Sequence, residues 1–509
     1  MKIFNKRILS IVTCTLVMSA LFSGCAEKKV EQLQDAPKEA TKIKIMNRVN
    51  AEVKLEDNAL IKEIEKAANV KLEIDAPPIS NYVDRLQIAM ASGDLPDIIY
   101  NWGGADANYE KWASDGLLAE LDDKISKYPN LTQNITREMW DGARSVKTGK
   151  IQQIPRPNVK NYWGYIINQK WLDKLGLKAP TTLDEFTAVA KAFTTQDPDG
   201  NGKADTYGVS SMGAFGMQFL MSAFNLTANL GAKDVDGNYK VMQKFEGYIP
   251  YLTYLKKLYA EKTLDPEFFT NKQYADNDKQ NADRVGISYG HQVGVLGAIK
   301  KIPDAIEKFT YQAPIKNEKG EALAYIGAPT WGAWMISKST KDLDGVLRFL
   351  DWGNSKEGFT LMNMGIKGTH YTEYNFDTKT VTRTPEQAKL LSTVASSYTT
   401  TAFAYQGASA IVENGDTPER LKRYNDDLAA MKKVIKEVNL PSVKAPKLAN
   451  LNSTNPDDVK KLSENEIKYI VGEITVEQFK DYLTKQYFPK IDDAEKEYIE
   501  VMKKVVASK

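Results

Sequence analysis

The chain has 509 residues, 42% of them hydrophobic, and carries 68 Lys and Arg against 66 Asp and Glu for a formal net charge of +2. That is enough apolar material for two or three domains, and so even a balance offers no basic surface of the kind that holds nucleic acid. Two cysteines and two histidines exclude a disulfide framework and argue against a histidine-built zinc site.

The first predicted element is a leader. Lys2, Lys6 and Arg7, the apolar stretch Ile8 to Leu21, and Ser23-Gly24 before Cys25 form the three parts of a secretory signal peptide over residues 1–24. The apolar stretch is shorter than the roughly 18 residues of a spanning helix, and no comparable run follows it. Leu21-Phe22-Ser23-Gly24-Cys25 resembles the bacterial lipobox, with Phe22 where leucine is usual, which implies acylation of Cys25; ordinary cleavage leaving a free thiol is the alternative. Cys14 leaves with the leader, so the mature chain keeps one cysteine and must be held by its core. Residues 26–41 are polar and charged, a flexible tether reaching at most about 50 Å from a membrane anchor.

From residue 42 apolar alternation at Ile43 and Ile45 predicts a strand. Helical spacing follows at Leu60, Ile61, Ile64, Ala67 and Ala68, then alternation at Val70, Leu72 and Ile74. A second helix over Val83 to Ala91 runs into Ser92-Gly93-Asp94-Leu95-Pro96 and the short apolar strand ending at Tyr100. This βαβαβ order implies a parallel sheet covered by helices. The rhythm returns at Tyr165-Ile166-Ile167, at a helix opened by the capping sequence Thr182-Leu183-Asp184-Glu185, and at Thr206 to Val209. Further strands are predicted at Arg284 to Ser288 and Ala333 to Ser337, and amphipathic helices after Asp457. The fold class is therefore α/β in two lobes, each with its own sheet.

Ligands of open parallel α/β sheets bind beyond the carboxyl ends of the strands. Asn101 and Trp102, Ser210-Ser211 with Phe215, and Tyr289 with His291 occupy those positions, where aromatic rings suit an apolar ligand face. Asp197, Asp199, Asn201, Lys203 and Asp205, with Gly202 at the sixth position, have the spacing of an EF-hand loop, Lys203 contributing its backbone carbonyl; a structural Ca²⁺ is expected there. Position twelve is Gly208, so the usual glutamate is missing; an Asx-rich turn without metal is the bland alternative. Gly286-Ile287-Ser288-Tyr289-Gly290 spells the nucleophile-elbow pattern, with His370 downstream, but the pattern is cheap by chance and lacks its oxyanion hole and Asp–His pair.

Ala91-Ser92-Gly93-Asp94-Leu95-Pro96-Asp97-Ile98-Ile99, Asp115-Gly116-Leu117-Leu118-Ala119-Glu120-Leu121, Tyr165 to Leu172, Pro180 to Phe186, Gly365 to Tyr371 and Ile470 to Ile474 together resemble the family 1 extracellular solute-binding proteins, the class that includes the maltose-binding protein. The resemblance runs with gaps from about residue 42 to the end. It implies a type II periplasmic-binding-protein-like fold, each lobe a mainly parallel sheet flanked by helices, with a hinged cleft between. Lobe 1 would comprise residues 42–162 and 312–366, and lobe 2 residues 163–311 and 367–509, the chain crossing near Tyr162, Tyr311 and Ile366. It also implies oligosaccharide capture for the permease subunits of an ABC importer, by a lipid-anchored monomer at the outer face of the cell membrane that is not an enzyme.

A saccharide cleft mixes aromatic rings, which pack on sugar C–H faces, with paired donors and acceptors for hydroxyls. Trp163 and Tyr371 near crossings, Arg156 in an exposed Pro-Arg-Pro segment, and Trp331 complete the candidate contacts; alternation puts Trp331 and Trp334 on opposite faces or twists one toward the cleft, so only one of them is a contact, and Trp171 and Trp352 read as core. A membrane-tethered glycosidase or lyase is the alternative function, since paired carboxylates cannot be recognised among so many acids. A sugar-sensing or adhesive surface protein shares every feature used.

Overall fold

The computed structural model describes residues 39–507 apart from 50–52, 79–80, 105, 146, 158–161, 212, 227–231, 234–238, 272–274, 292–304, 326–329, 378–379, 396–403, 406–407, 410–417 and 439–455. Cys25 and the tether up to residue 38 lie outside the described residues. No helix among the described residues is long and apolar enough to cross a membrane.

Strand β1 (Thr41–Met46) buries Ile43 and Ile45 and exposes Lys42 and Lys44, the period of a strand with one face on a core. Helix α1 (Ala59–Ala68) starts at Asn58, whose side chain accepts from the N–H groups of Leu60 and Ile61, and stops at Asn69 in the left-handed conformation. Strand β2 (Val70–Asp75) returns parallel to β1, with Thr41 opposite Val70. Helix α2 (Tyr82–Ser92) and β3 (Ile98–Asn101) complete the βαβαβ unit. Ile98, Ile99 and Tyr100 are wholly buried, as in a strand covered on both faces.

The chain then forms β4 (Gln153–Pro157), β5 (Trp163–Asn168), α3 (Leu183–Thr195), β6 (Tyr207–Ser210), α4 (Tyr248–Ala260), α5 (Ala275–Asn281), β7 (Val285–His291), β8 (Phe309–Gln312), β9 (Ala322–Tyr325) and β10 (Thr330–Ile336). The capping box expected at Thr182 is formed, Thr182 and Glu185 each accepting the other's backbone N–H. One sheet has the order β2-β1-β3-β10-β4 and the other β8-β5-β7-β6. In the first, only β10 opposes the rest, being antiparallel to both β3 and β4. In the second, only β5 does, being antiparallel to β8 and β7 while β7 and β6 are parallel. Both sheets are thus mainly parallel in direction, with one reversed strand each, a feature that apolar periodicity does not encode.

Each sheet has its own core. The first gathers Ile43, Leu60, Ile99, Tyr109, Leu121, Trp334 and Leu347. The second gathers Tyr165, Phe186, Phe193, Val209, Leu255 and Ile287, joined by Ile470, Phe479 and Ile491 of the C-terminal helices. Trp171 belongs to this second core and Trp352 packs on the first, as expected. A boundary at Ile366 is too early, because α6 (Pro385–Val394) returns to the first core: Leu391 joins it, and Asn58 Nδ2 donates to the carbonyl of Val394 at 2.8 Å.

Candidate ligand-binding site

Strand polarity brings the sequence candidates to two edges. The carboxyl ends of β1, β3 and β4 share one edge with the start of the reversed β10. The carboxyl ends of β6 and β7 share another with the start of the reversed β5. Pro157 ends β4 and Trp163 begins β5, so six peptide units, at most about 20 Å, join the two edges.

At the first edge Asn101 is buried and its amide is spent on its own loop: Nδ2 donates to the Gly104 carbonyl at 2.6 Å and Oδ1 accepts from the Gly103 N–H at 3.3 Å. It shapes the turn that presents Trp102, which is half-buried with the Arg48 guanidinium 3.3 Å above its ring centre. Arg156, expected at an exposed position, is buried instead: it lies within β4, at an irregularity in the pairing of that strand with β10. Trp334 packs edge-on against Tyr100 at 5.2 Å in the core. Trp331 and His291 belong to β10 and β7, and Phe215 to a short 3₁₀ turn, but their side chains lie outside the described residues.

At the second edge Trp163 and Tyr289 stack at 4.7 Å with ring planes 6° apart. The register explains the contact. Trp163 pairs with His291 and Tyr165 with Tyr289, so Trp163 and Tyr289 are diagonal neighbours on one face, within aromatic reach. Tyr289 is fixed from behind by its hydroxyl, which donates to Gln218 Oε1 at 2.5 Å.

A polar cluster lies at the carboxyl end of β6, where Ser210 pairs with Ser288, on the sheet face opposite the aromatic pair. The Asp265 carboxylate accepts from Ser210 Oγ at 2.6 Å and from Lys279 Nζ at 2.7 Å, while Asn271 Nδ2 donates to Ser210 Oγ at 3.0 Å. Burial alone would raise the Asp265 pKa; the Lys279 ammonium and the Ser210 hydroxyl hold it below the usual range instead. Ser288, the serine of the elbow pattern, is buried; its Oγ donates to Gln280 Oε1 at 2.6 Å and accepts from Asn277 Nδ2 at 3.1 Å. His370 is buried elsewhere, with Nδ1 accepting the Ile366 N–H at 2.9 Å, and its pKa is lowered by burial and then by Arg383. Tyr371 sits in a small cluster with Phe359, Met364 and Val381. It is not brought to either edge by any contact among the described residues.

The acidic loop is tightly curled, with Asp197, Gly200 and Gly202 at φ of 46°, 79° and 74°. Asp197 accepts backbone N–H groups of Gly200, Asn201 and Gly202, and Asn201 Nδ2 bridges Asp199 at 2.7 Å and Asp205 at 3.2 Å. Burial, with the Asp197 and Asp205 charges behind it, pushes the Asp199 carboxyl up. An all-oxygen donor set suits a hard cation, yet among the described residues no three acidic, histidine or cysteine side chains converge closely enough to form a ready metal centre. Gly208, at position twelve, lies in β6 with its Cα facing the Ala190 carbonyl, so no ligand can come from there.

Arg48, Gln218, Asp265 and Lys279 are not among the residues that the strand-end rule marks in the sequence. Arg48 lies two residues past β1 and was open to the same rule that found Trp102. The others reach the edge from turns and helices, where no periodicity marks them.

The family profile of bacterial extracellular solute-binding proteins matches residues 52–358. The polygalacturonan/rhamnogalacturonan-binding protein YtcQ of Bacillus subtilis is 26% identical over 491 residues, 93% of this chain and 94% of its own. Lipoprotein LipO of the same organism is 28% identical over 363 residues, covering 69% and 71%. The structure of an EF-hand mutant of the ABC-transporter substrate-binding protein FusA of S. pneumoniae with fructo-nystose superposes with a TM-score of 0.73 at 19% identity, over 92% of this chain and 100% of that one.

Proposed function

We propose, on the premise that this chain belongs to the bacterial extracellular solute-binding protein family, that it captures an oligosaccharide outside the cell and delivers it to an ABC importer. The observation that carries this reading is the Trp163–Tyr289 stack at a strand-end edge, with the Tyr289 hydroxyl fixed on Gln218. Flat apolar rings beside fixed donors and acceptors match a sugar, which offers C–H faces and hydroxyls together. The carbohydrate named in YtcQ and the fructo-nystose of the FusA structure support the ligand class.

Capture is reversible. Each lobe, residues 42–162 with 312–366 and residues 163–311 with 367–509, supplies part of the cleft, with 385–394 reassigned to the first. Ligand favours the closed form by its differential affinity for that state. Nothing in this cycle needs a bond broken, and the protein is not an enzyme; the engagement of Ser288 by Gln280 and Asn277 supports that. Acylated Cys25 holds the monomer at the cell surface, a reading supported by the lipoprotein LipO. The loop of Asp197, Asp199, Asn201, Lys203 and Asp205 takes a structural Ca²⁺, supported by its oxygen donors and by the EF-hand named for FusA.

Thermal unfolding of the mature protein with calcium, against neutral and acidic oligosaccharides, tests this. A ligand held only by the folded state raises the midpoint. A rise with the sugar recovered intact by chromatography supports capture; a sugar recovered cleaved would replace it with the tethered glycosidase or lyase.

A further inference from the structure

Beyond β6 the chain adds one more parallel neighbour to the second sheet. The Val209 N–H donates to the Thr263 carbonyl at 3.1 Å, the Asp265 N–H donates to the Val209 carbonyl at 2.9 Å, and Leu264 forms a parallel bridge with Val209. Residues 263–265 therefore run in the direction of β6. The turn 266–271 lies past their carboxyl end, at the edge where ligands of such sheets bind.

That turn is firmly held and presents an aromatic ring. Phe268 is wholly buried; its N–H donates to the Asp265 carbonyl at 3.1 Å and its carbonyl accepts from the Gly213 N–H at 2.7 Å. Phe269 stands edge-on to Phe268, with ring centres 5.4 Å apart and planes at 82°, and is 42% exposed. Single exposed apolar residues are common, but the other large hydrophobic side chains exposed to this degree among the described residues are aliphatic, and Phe269 is the one at a ligand edge. An acceptor stands two residues further on. Asn271 Nδ2 reaches Ser210 Oγ at 3.0 Å, the Ser211 carbonyl at 2.9 Å and Asp265 Oδ2 at 3.3 Å, which fixes the amide and turns Oδ1 away from the polar cluster. Asn271 is half-buried, and its Oδ1 has no hydrogen-bond partner among the described residues.

The turn and the aromatic pair reach the strand ends from different sides, since Asn271 is bonded to Ser210 on the face opposite the stack. β7, β6 and residues 263–265 are successive neighbours, so two strand spacings, about 10 Å, separate the strand of Tyr289 from the stretch that carries the turn. A single sugar ring does not cover that span; a chain of sugars laid across the strand ends does.

We propose, resting on the capture reading above, that Phe269 and Asn271 form an outer saccharide subsite. A sugar unit beyond the one at the Trp163–Tyr289 pair lies on the exposed face of Phe269 and donates a hydroxyl hydrogen to Asn271 Oδ1. The preferred ligand is then longer than a disaccharide.

The test titrates the full mature chain, Phe269→Ala and Phe269→Tyr by calorimetry with two length series, sucrose, kestose and nystose, and di-, tri- and tetragalacturonate. The sugar-free unfolding midpoint of Phe269→Ala should stay within about 1 °C of wild type, because an exposed ring is removed and no hydrogen bond is lost. For the longest sugar that binds wild type, Phe269→Ala should bind about fivefold more weakly and Phe269→Tyr close to wild type, with the loss shrinking to less than twofold for any disaccharide that binds. Equal affinity of wild type and Phe269→Ala for the longest sugar overturns the proposal while capture stands. So does a loss of the same size at every length, and so does a fall of several degrees in the sugar-free midpoint, which would mark the ring as structural. No binding of any sugar in either series removes the capture reading and this proposal with it.

Discussion

Replacing Trp163 by alanine removes one ring of a pair stacked at 4.7 Å. The pair interaction itself contributes about 0.5–1.5 kcal/mol. Tyr289 remains anchored by Gln218, and Trp163 is only half-buried at the start of its strand, so the fold loses little beyond that. We expect an unfolding midpoint lower by about 1 °C. The larger effect falls on the ligand. An indole face covered by a sugar removes on the order of 50 Å² of apolar surface from water, about 1 kcal/mol. That gives a roughly fivefold rise in Kd. Isothermal titration with the sugar that gives the greatest thermal shift reads the affinity, and calorimetry without sugar reads the stability; Trp163→Phe should recover part of both. Binding within twofold of wild type, alongside a clearly lowered midpoint, would refute the reasoning by making the stack a purely structural feature.

Three further outcomes are expected. Burial raises the Glu466 carboxyl to about 7, against the lowering hydrogen bond from the Tyr248 hydroxyl. The native state therefore keeps a proton that the unfolded chain releases near its ordinary pKa of 4.5, and stability falls as pH rises between those values. Glu466→Gln should accordingly match wild type near pH 4 and exceed it by up to about 3 kcal/mol at pH 8; parallel pH–stability curves from denaturant titration would contradict this. Gly332 sits at φ +78°, and a Cβ there would meet Tyr100 Oη at 2.3 Å, so Gly332→Ala should destabilise by about 2–4 kcal/mol, read by chemical denaturation. Removing calcium with EGTA should lower the thermal midpoint of wild type but not of Asp197→Ala; a wild-type midpoint indifferent to the chelator would count the loop as an Asx-rich turn.

Many elements of both lobes were legible because their signals are local. Alternation marks β1 and β2, a 3.6-residue period marks α1 and α2, and Thr182 with Glu185 announces the helix they cap; each depends on residues within a few positions of one another. The rule that ligands lie past strand ends points to Trp102 and Tyr289, and the place near a crossing points to Trp163.

What only the tertiary structure decided depends on partners far apart in the chain. The reversed direction of β5 and β10 follows from where the chain crosses between sheets, which no local pattern records. The Trp163–Tyr289 contact requires a register across 126 residues of separation. Arg156 reads as surface beside two prolines, yet it is buried within β4. The Pro385–Val394 helix gives no sign, in its own amphipathic spacing, of which of two cores it will join. Asn101 shows the same divide at a single residue: composition names a polar side chain, but only packing shows that its amide is engaged within its own turn. Local free energies set the elements, because they act through neighbouring backbone; the site arises from burial and hydrogen bonding between segments that meet only after the sheets have formed.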